Sequence, residues 1–137
     1  LKTIARFLSL ILLITIAACS NQPQNKQKEK SVYVSDTQLT AALGKWQRTD
    51  GGYVLEINNL KSDSTLEAAY FNPNPINVSE THWKTQRGYL YIFVKFDDEG
   101  YPGSYYSLGY YPEEDRLYGF YFQAVQQEKF DVVFERK

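Results

Sequence analysis

A chain of 137 residues with 15 Lys and Arg against 16 Asp and Glu carries a net charge of −1. That balance excludes the strongly basic surface that nucleic-acid binding requires, so no nucleic-acid partner is expected. The length suits one domain of ordinary size, the single cysteine excludes an intrachain disulfide, and 12 Tyr with 8 Phe favour strands over helices.

The chain starts with a basic segment, Lys2 and Arg6, followed by a mostly apolar run from Phe7 to Ala18. That run is shorter than the ~20 residues needed to cross a bilayer. A basic start, a short apolar core and small residues before a break are the pattern of an export signal, expected over residues 1–18. The break reads Ile16-Ala17-Ala18-Cys19. An aliphatic residue, two small residues and a cysteine resemble, position by position, the lipobox of bacterial lipoproteins. The resemblance covers roughly the first 20 residues. It implies cleavage before Cys19, a thioether-linked diacylglycerol on its sulfur, and Cys19 as the new N-terminus. A lone cysteine in an exported chain is otherwise a reactive thiol. Acyl burial is worth about 0.8 kcal/mol per CH₂ and stable anchoring takes more than one chain, so two or three palmitate-like chains on Cys19 would hold the protein to a membrane. Ser20 stands where an aspartate would retain such proteins at the inner membrane. In enterobacteria-like sorting this implies the outer membrane of a bacterial cell envelope, facing the periplasm. Removing Lys2 and Arg6 with the leader lowers Lys and Arg from 15 to 13 against 16 acids, a net charge of −3.

Residues 19–40 read as the lipidated N-terminus and a tether. Ser20 to Lys30 has no apolar residue except Pro23 and cannot bury a core, so it reads as disordered. Roughly 20 residues reach about 70 Å when extended and about 25 Å as a random coil, enough to hold a domain clear of lipid. Val32-Tyr33-Val34 is a short β-prone island. Asp36 is placed to N-cap a turn or two of helix through Thr37–Leu43, stopped by Gly44.

From residue 41 to 137, turn signals recur about every 10 residues, the spacing of a sandwich or barrel. Eight runs alternate: Gly44–Thr49, Tyr53–Asn58, Thr65–Phe71, Val78–Gln86, Tyr89–Phe96, Ser104–Tyr111, Arg116–Ala124 and Lys129–Arg136. Between the third and fourth, Asn72-Pro73-Asn74-Pro75 is expected to forbid regular pairing, because proline has no N–H to give. Tyr89–Phe96 is the strongest strand, with Leu90, Ile92, Val94 and Phe96 on one face and Tyr89, Tyr91 and Phe93 on the other. Short sequential connections favour an all-β fold, a single eight-stranded antiparallel up-and-down barrel, over a two-sheet sandwich that needs a long crossover.

Gly44-Lys45-Trp46 in the first run, with Arg136 ending the last, is similar to the Gly-x-Trp and terminal-Arg pairing of the calycins, the lipocalin and avidin group. There the tryptophan plugs one barrel end and the arginine stacks on it. The resemblance implies a barrel-closure role for Trp46 and Arg136 through a cation–π contact. The first three runs space more like avidins: Tyr53-x-Leu55-x-Ile57, then Leu66-x-Ala68-x-Tyr70. A biotin site does not carry over, because avidins use several tryptophans and only Trp46 and Trp83 occur here.

No residue set points to catalysis, and no enzyme activity or cofactor is expected. His82, the single histidine, lies in a polar strand with no second metal ligand of zinc type beside it. Asp97-Asp98-Glu99-Gly100 lacks the spacing of a calcium loop and reads as a solvated turn. Two features suggest binding. The inward faces carry Arg48, Tyr70, Asn72, Ser104, Tyr106 and Gln123, the mixture of polar groups and aromatics that a small-ligand pocket uses. The outward faces of adjacent runs carry Tyr89, Tyr91 and Phe93, then Tyr105 and Tyr111, then Tyr118, Phe120 and Phe122. These would merge into one aromatic patch suited to a homo-oligomer or an envelope protein partner. The expected function is a lipid-anchored, non-catalytic binding module for a small ligand or a protein. An envelope lysozyme inhibitor, of the small lipid-anchored barrel kind, is an alternative that lacks that group's disulfide and inhibitory loop motif here. A structural or assembly role is the third.

Overall fold

The computed structural model describes residues 34–137. The leader, Cys19, the tether, and Val32 and Tyr33 of the β-prone island lie outside the described residues. A short helix, α1 (Asp36–Ala41), leads into nine strands: β1 (Gly44–Arg48), β2 (Val54–Leu60), β3 (Leu66–Asn72), β4 (Asn74–Ile76), β5 (Val78–Gln86), β6 (Tyr89–Phe96), β7 (Tyr105–Tyr111), β8 (Arg116–Gln123) and β9 (Glu128–Arg136). The cap of α1 is Ser35 rather than Asp36. Its hydroxyl accepts from the Gln38 amide while the Gln38 side chain accepts from the Ser35 amide, a reciprocal pair that satisfies two otherwise orphaned donors. Asp36 is instead the acidic residue of the first turn.

Every pair of sheet neighbours is antiparallel, in the order β4-β3-β2-β1-β9-β8-β7-β6-β5. First and last strands of the chain pair with each other, Trp46 opposite Arg136 and Arg48 opposite Phe134. The sheet curls into a nearly closed barrel of nine strands, not eight. The ninth comes from the stretch expected to resist pairing. Asn72 pairs with Asn74 and Phe71 with Pro75, so Pro73 sits at the tip of a tight hairpin. Proline is tolerated there because β4 has a strand partner on one side only, and an edge strand needs no N–H on its open side.

The seam of the barrel lies between β3 and β5, where side chains replace a regular ladder. The Thr81 hydroxyl donates to the Leu66 carbonyl at 2.7 Å and accepts from the Leu66 amide at 3.1 Å. One step along, the Trp83 amide donates to the Ser64 carbonyl at 2.8 Å, and its indole N–H donates to the Lys61 carbonyl at 2.8 Å.

The core follows the period of two. Leu90, Ile92, Val94 and Phe96 of β6 point inward and are no more than 3% exposed, facing Trp46, Leu55, Ile57, Leu108, Leu117 and Phe134. Burying each such side chain contributes about 1.5–3 kcal/mol. Gly119 marks where β7 and β8 approach too closely for a side chain: a Cβ there would overlap the Ser107 carbonyl oxygen and lie 2.9 Å from the Leu108 Cα.

One end of the barrel is shut. The Trp46 indole N–H donates to the Ala42 carbonyl at 3.0 Å, and the Arg136 guanidinium lies 3.7 Å over the Trp46 ring. Arg136 also donates to the carbonyls of Ala41 and Leu43, each at 2.7 Å, which the end of α1 leaves without helical partners. Its remaining donors reach Asp115 in the β7–β8 turn at 2.6 and 3.1 Å.

Candidate functional site

The other end is open. The β1–β2, β3–β4, β6–β7 and β8–β9 connections ring a cavity of about 590 Å³, within the ~300–1,000 Å³ range of small-molecule pockets. Because α1 packs at the shut end, the mouth faces away from the point where the described chain begins.

The floor is aromatic. The Tyr106 ring, wholly buried, is packed by Tyr70, Phe96, Tyr121 and Phe134 with ring centroids 5.2–5.4 Å away. Tyr70 stacks on Phe96 at 4.4 Å. The hydroxyls of Tyr70 and Tyr106 meet at 3.0 Å.

Arg48 reaches this floor from the end of β1. Its Nη1 donates to the Tyr106 hydroxyl at 3.1 Å, while Nε and Nη2 form a fork on the Asp50 carboxylate, both at 2.6 Å. Its guanidinium lies 4.3 Å over the Tyr53 ring. Burial opposes the charge on Arg48, but the hydrogen bonds it donates to Asp50 and Tyr106 outweigh it and raise its pKa. The same Arg48 bonds hold Asp50 below the usual carboxylate range. Burial pushes the Tyr70 hydroxyl up, and does the same to Tyr106 and Tyr121 against the pull of Arg48. At neutral pH the floor therefore holds one paired ion couple and protonated phenols. It can donate hydrogen bonds and offer ring faces. Asp98, Asp131 and Lys129 border the cavity as well.

Of the six residues expected in a pocket, Arg48, Tyr70, Asn72 and Gln123 line this cavity. Tyr106 lies beneath it as the hub of the floor. Ser104 does not line it: fully buried, its Oγ accepts from the Ala124 amide at 3.0 Å and ties the β6–β7 connection to the β8–β9 turn. The sequence reading missed Asp50, Tyr53, Tyr101 and Lys129. Asp50 left a signal, an opposite charge two residues from Arg48, and Tyr53 another, in phase with the buried Leu55 and Ile57. Tyr101 sits in a turn, where strand alternation says nothing.

The mouth has an apolar rim. Tyr101 is 45% exposed, Phe130 42% and Val125, in the β8–β9 turn, 62%. Among the described residues only one other large hydrophobic, Tyr89, is so exposed, at 37%.

Trp46 and Arg136 meet at the opposite, shut end. The outer wall carries the other set. Tyr89, Tyr111 and Tyr118 form one row of ring contacts at 5.2 Å, and Phe93, Tyr105, Phe120 and Phe122 a second at 5.0–6.0 Å. Tyr91 fills the space over Gly109, where a Cβ would lie 3.3 Å from its ring. Packed against each other, all of these except Tyr89 are half-buried, so the wall presents less open apolar surface than its composition suggests.

Among the described residues no three His, Cys, Asp or Glu side chains converge as metal ligands. No protein-family model, curated protein or solved structure matches this chain.

Proposed function

We propose that the protein is a lipid-anchored, non-catalytic binding module of the bacterial cell envelope, with a calycin-like barrel that takes a small ligand into its open end. One observation carries the reading: an open cavity of about 590 Å³ with polar groups converging on an aromatic floor, in a barrel whose opposite end is shut. A barrel serving only as a spacer would gain stability by filling that end with apolar side chains. The lipobox resemblance at Ile16–Cys19 supports the anchor, and Cys19 carries the lipid. Native mass spectrometry of the full chain, purified from a bacterial envelope, is expected to show a retained small molecule. A Cys19→Ser chain is expected to leave the membrane fraction. An interior without bound mass, silent to every small-molecule probe, overturns the binding reading, and a Cys19→Ser protein that still sediments with vesicles overturns the anchor.

A second reading rests on the two aromatic rows of the outer wall, each running across β6, β7 and β8. That face suits a second copy of the chain or another envelope protein. Replacing Phe93 and Phe120 by Ser is expected to change the elution volume or the captured partner; no change in either removes this reading.

A further inference from the structure

The cavity's own hydrogen-bonding balance narrows what it accepts, given the binding reading above. Tyr106 is enclosed on all sides and its hydroxyl already accepts from Arg48. The Tyr70–Tyr106 hydrogen bond uses one of the two phenolic protons. If Tyr70 donated, the Tyr106 proton would be buried without an acceptor, a cost of about 1–3 kcal/mol. The favoured arrangement has Tyr106 donating to Tyr70. Tyr70 lines the cavity, so its own proton is left aimed at whatever occupies the space. The deep end thus offers a phenolic O–H beside the guanidinium N–H groups of Arg48, all donors.

Charge excludes two classes of ligand. A cation would be drawn to Asp98 and Asp131 at the border, but would meet only these donors and the Arg48 charge at the floor. An anion would find Arg48 already held in the fork of Asp50, and one lysine at the border, Lys129, whose ammonium lies 4.6 Å over the outer Phe120 ring. It would also have to pass Asp98 and Asp131, which border the cavity. A neutral molecule with acceptors at its deep end remains. Between floor and mouth the walls combine ring faces with Asn72, Gln123 and Gln126, whose amides both donate and accept. Hydroxyl groups, which also do both, match such amides, and aromatic faces, negative at the centre, attract polarised C–H groups.

We infer that the open end of the barrel binds a neutral pyranose ring, a sugar unit seated with its C–H face on the aromatic wall and its oxygens on Tyr70, Arg48 and the amides of the rim.

Isothermal titration of the full chain tests this with glucose, galactose, mannose, N-acetylglucosamine and their β-linked disaccharides. The comparison probes are glucuronate, glucosamine and laurate. At least one neutral sugar is expected to bind, and its charged counterpart to bind about 10-fold more weakly. Tyr70→Phe is expected to weaken the sugar by about 10-fold, the loss of roughly one hydrogen bond. Phe130→Ala, at an exposed rim position that the fold does not need, is expected to weaken it as well and stands in if Tyr70→Phe does not fold. Binding of laurate with no response to any neutral sugar overturns the sugar inference and leaves the binding reading intact. A charged sugar that binds more tightly than its neutral parent, or a sugar indifferent to Tyr70→Phe and Phe130→Ala, overturns it too. Silence to all probes, with no retained mass, removes both.

Discussion

Arg136 and Trp46 are 90 positions apart in the chain, yet they stand opposite each other in the β1–β9 ladder with the guanidinium 3.7 Å above the indole. The contact joins the first and last strands of the chain to each other and to the helix before them. Removing the guanidinium with Arg136→Ala strips partners from the carbonyls of Ala41 and Leu43 and from Asp115. A loss of about 2–3 kcal/mol is expected from the lost cation–π contact and charged hydrogen bonds. Arg136→Lys keeps the charge without the planar fork and is expected to recover less than half of it. Urea unfolding of both variants measures the difference.

The same arginine gives the fold an acid limit. It holds the Asp115 carboxyl below the ordinary range, as Arg48 holds Asp50. A carboxylate with a lower pKa folded than unfolded adds stability that is fully present above the unfolded value, ~3.9. That stability is lost as pH falls through the folded value. Thermal stability is therefore expected to be flat above about pH 5 and to fall below about pH 4. Asp115→Asn and Asp50→Asn are each expected to flatten that fall. Both carboxylates are half-exposed, so each effect is modest. Melting curves from pH 2 to pH 7 check this; an acid limb unchanged in both variants contradicts it.

Two glycines separate close backbone approach from simple crowding. Gly119→Ala would drive a methyl group into the Ser107 carbonyl and the Leu108 Cα, neither of which can move without parting β7 from β8. A loss above about 3 kcal/mol, or failure to fold, is expected. Gly109→Ala meets only the Tyr91 and Tyr111 rings, at 3.3 and 3.4 Å. Those outer side chains can shift, and a loss below about 1 kcal/mol is expected. Equal effects at the two sites would show that the ring contacts are as unyielding as the backbone.

The seam depends on one hydroxyl. Thr81→Val keeps the shape but leaves the Leu66 amide and carbonyl without partners, at an expected cost of about 1–3 kcal/mol. Thr81→Ser restores the hydroxyl and should restore most of the stability. Hydrogen exchange at Leu66 should accelerate in Thr81→Val and stay slow in Thr81→Ser; protection in both would mean that the Trp83–Ser64 bond alone holds the seam.

Arg48 and Tyr106 share the cavity floor, and Tyr106→Phe should show how much the floor stabilises. The guanidinium would lose an acceptor and Tyr70 its donor. A loss of about 1.5–3 kcal/mol is expected. For a domain near 100 residues each kcal/mol is worth about 4–8 °C in melting temperature. Scanning calorimetry measures it.

The all-β class and the facing of strands such as Tyr89–Phe96 are legible in the chain because alternation is local. Leu90, Ile92, Val94 and Phe96 declare their common side within eight residues, whatever the rest of the chain does. Arg48, Tyr70 and Gln123 could be assigned inward for the same reason. What alternation cannot say is how far along the barrel an inward residue sits. Ser104 and Gln123 were both rightly placed inside, yet one is sealed into a turn contact and the other lines the cavity.

Strand number, seam and open end were decided only by tertiary structure. Pro75 looks like a break when read alone, and becomes a strand residue only because β4 falls at the sheet's edge, where its missing N–H costs nothing. That edge exists because β5 pairs with β6, its neighbour in the chain, and meets β3 only through the Thr81 and Trp83 contacts of the seam. Likewise one end is shut because Arg136 returns to Trp46, and at the open end Arg48 meets Tyr106, 58 positions along the chain. Local chemistry chose the faces; long-range pairing chose which polar groups would share a cavity.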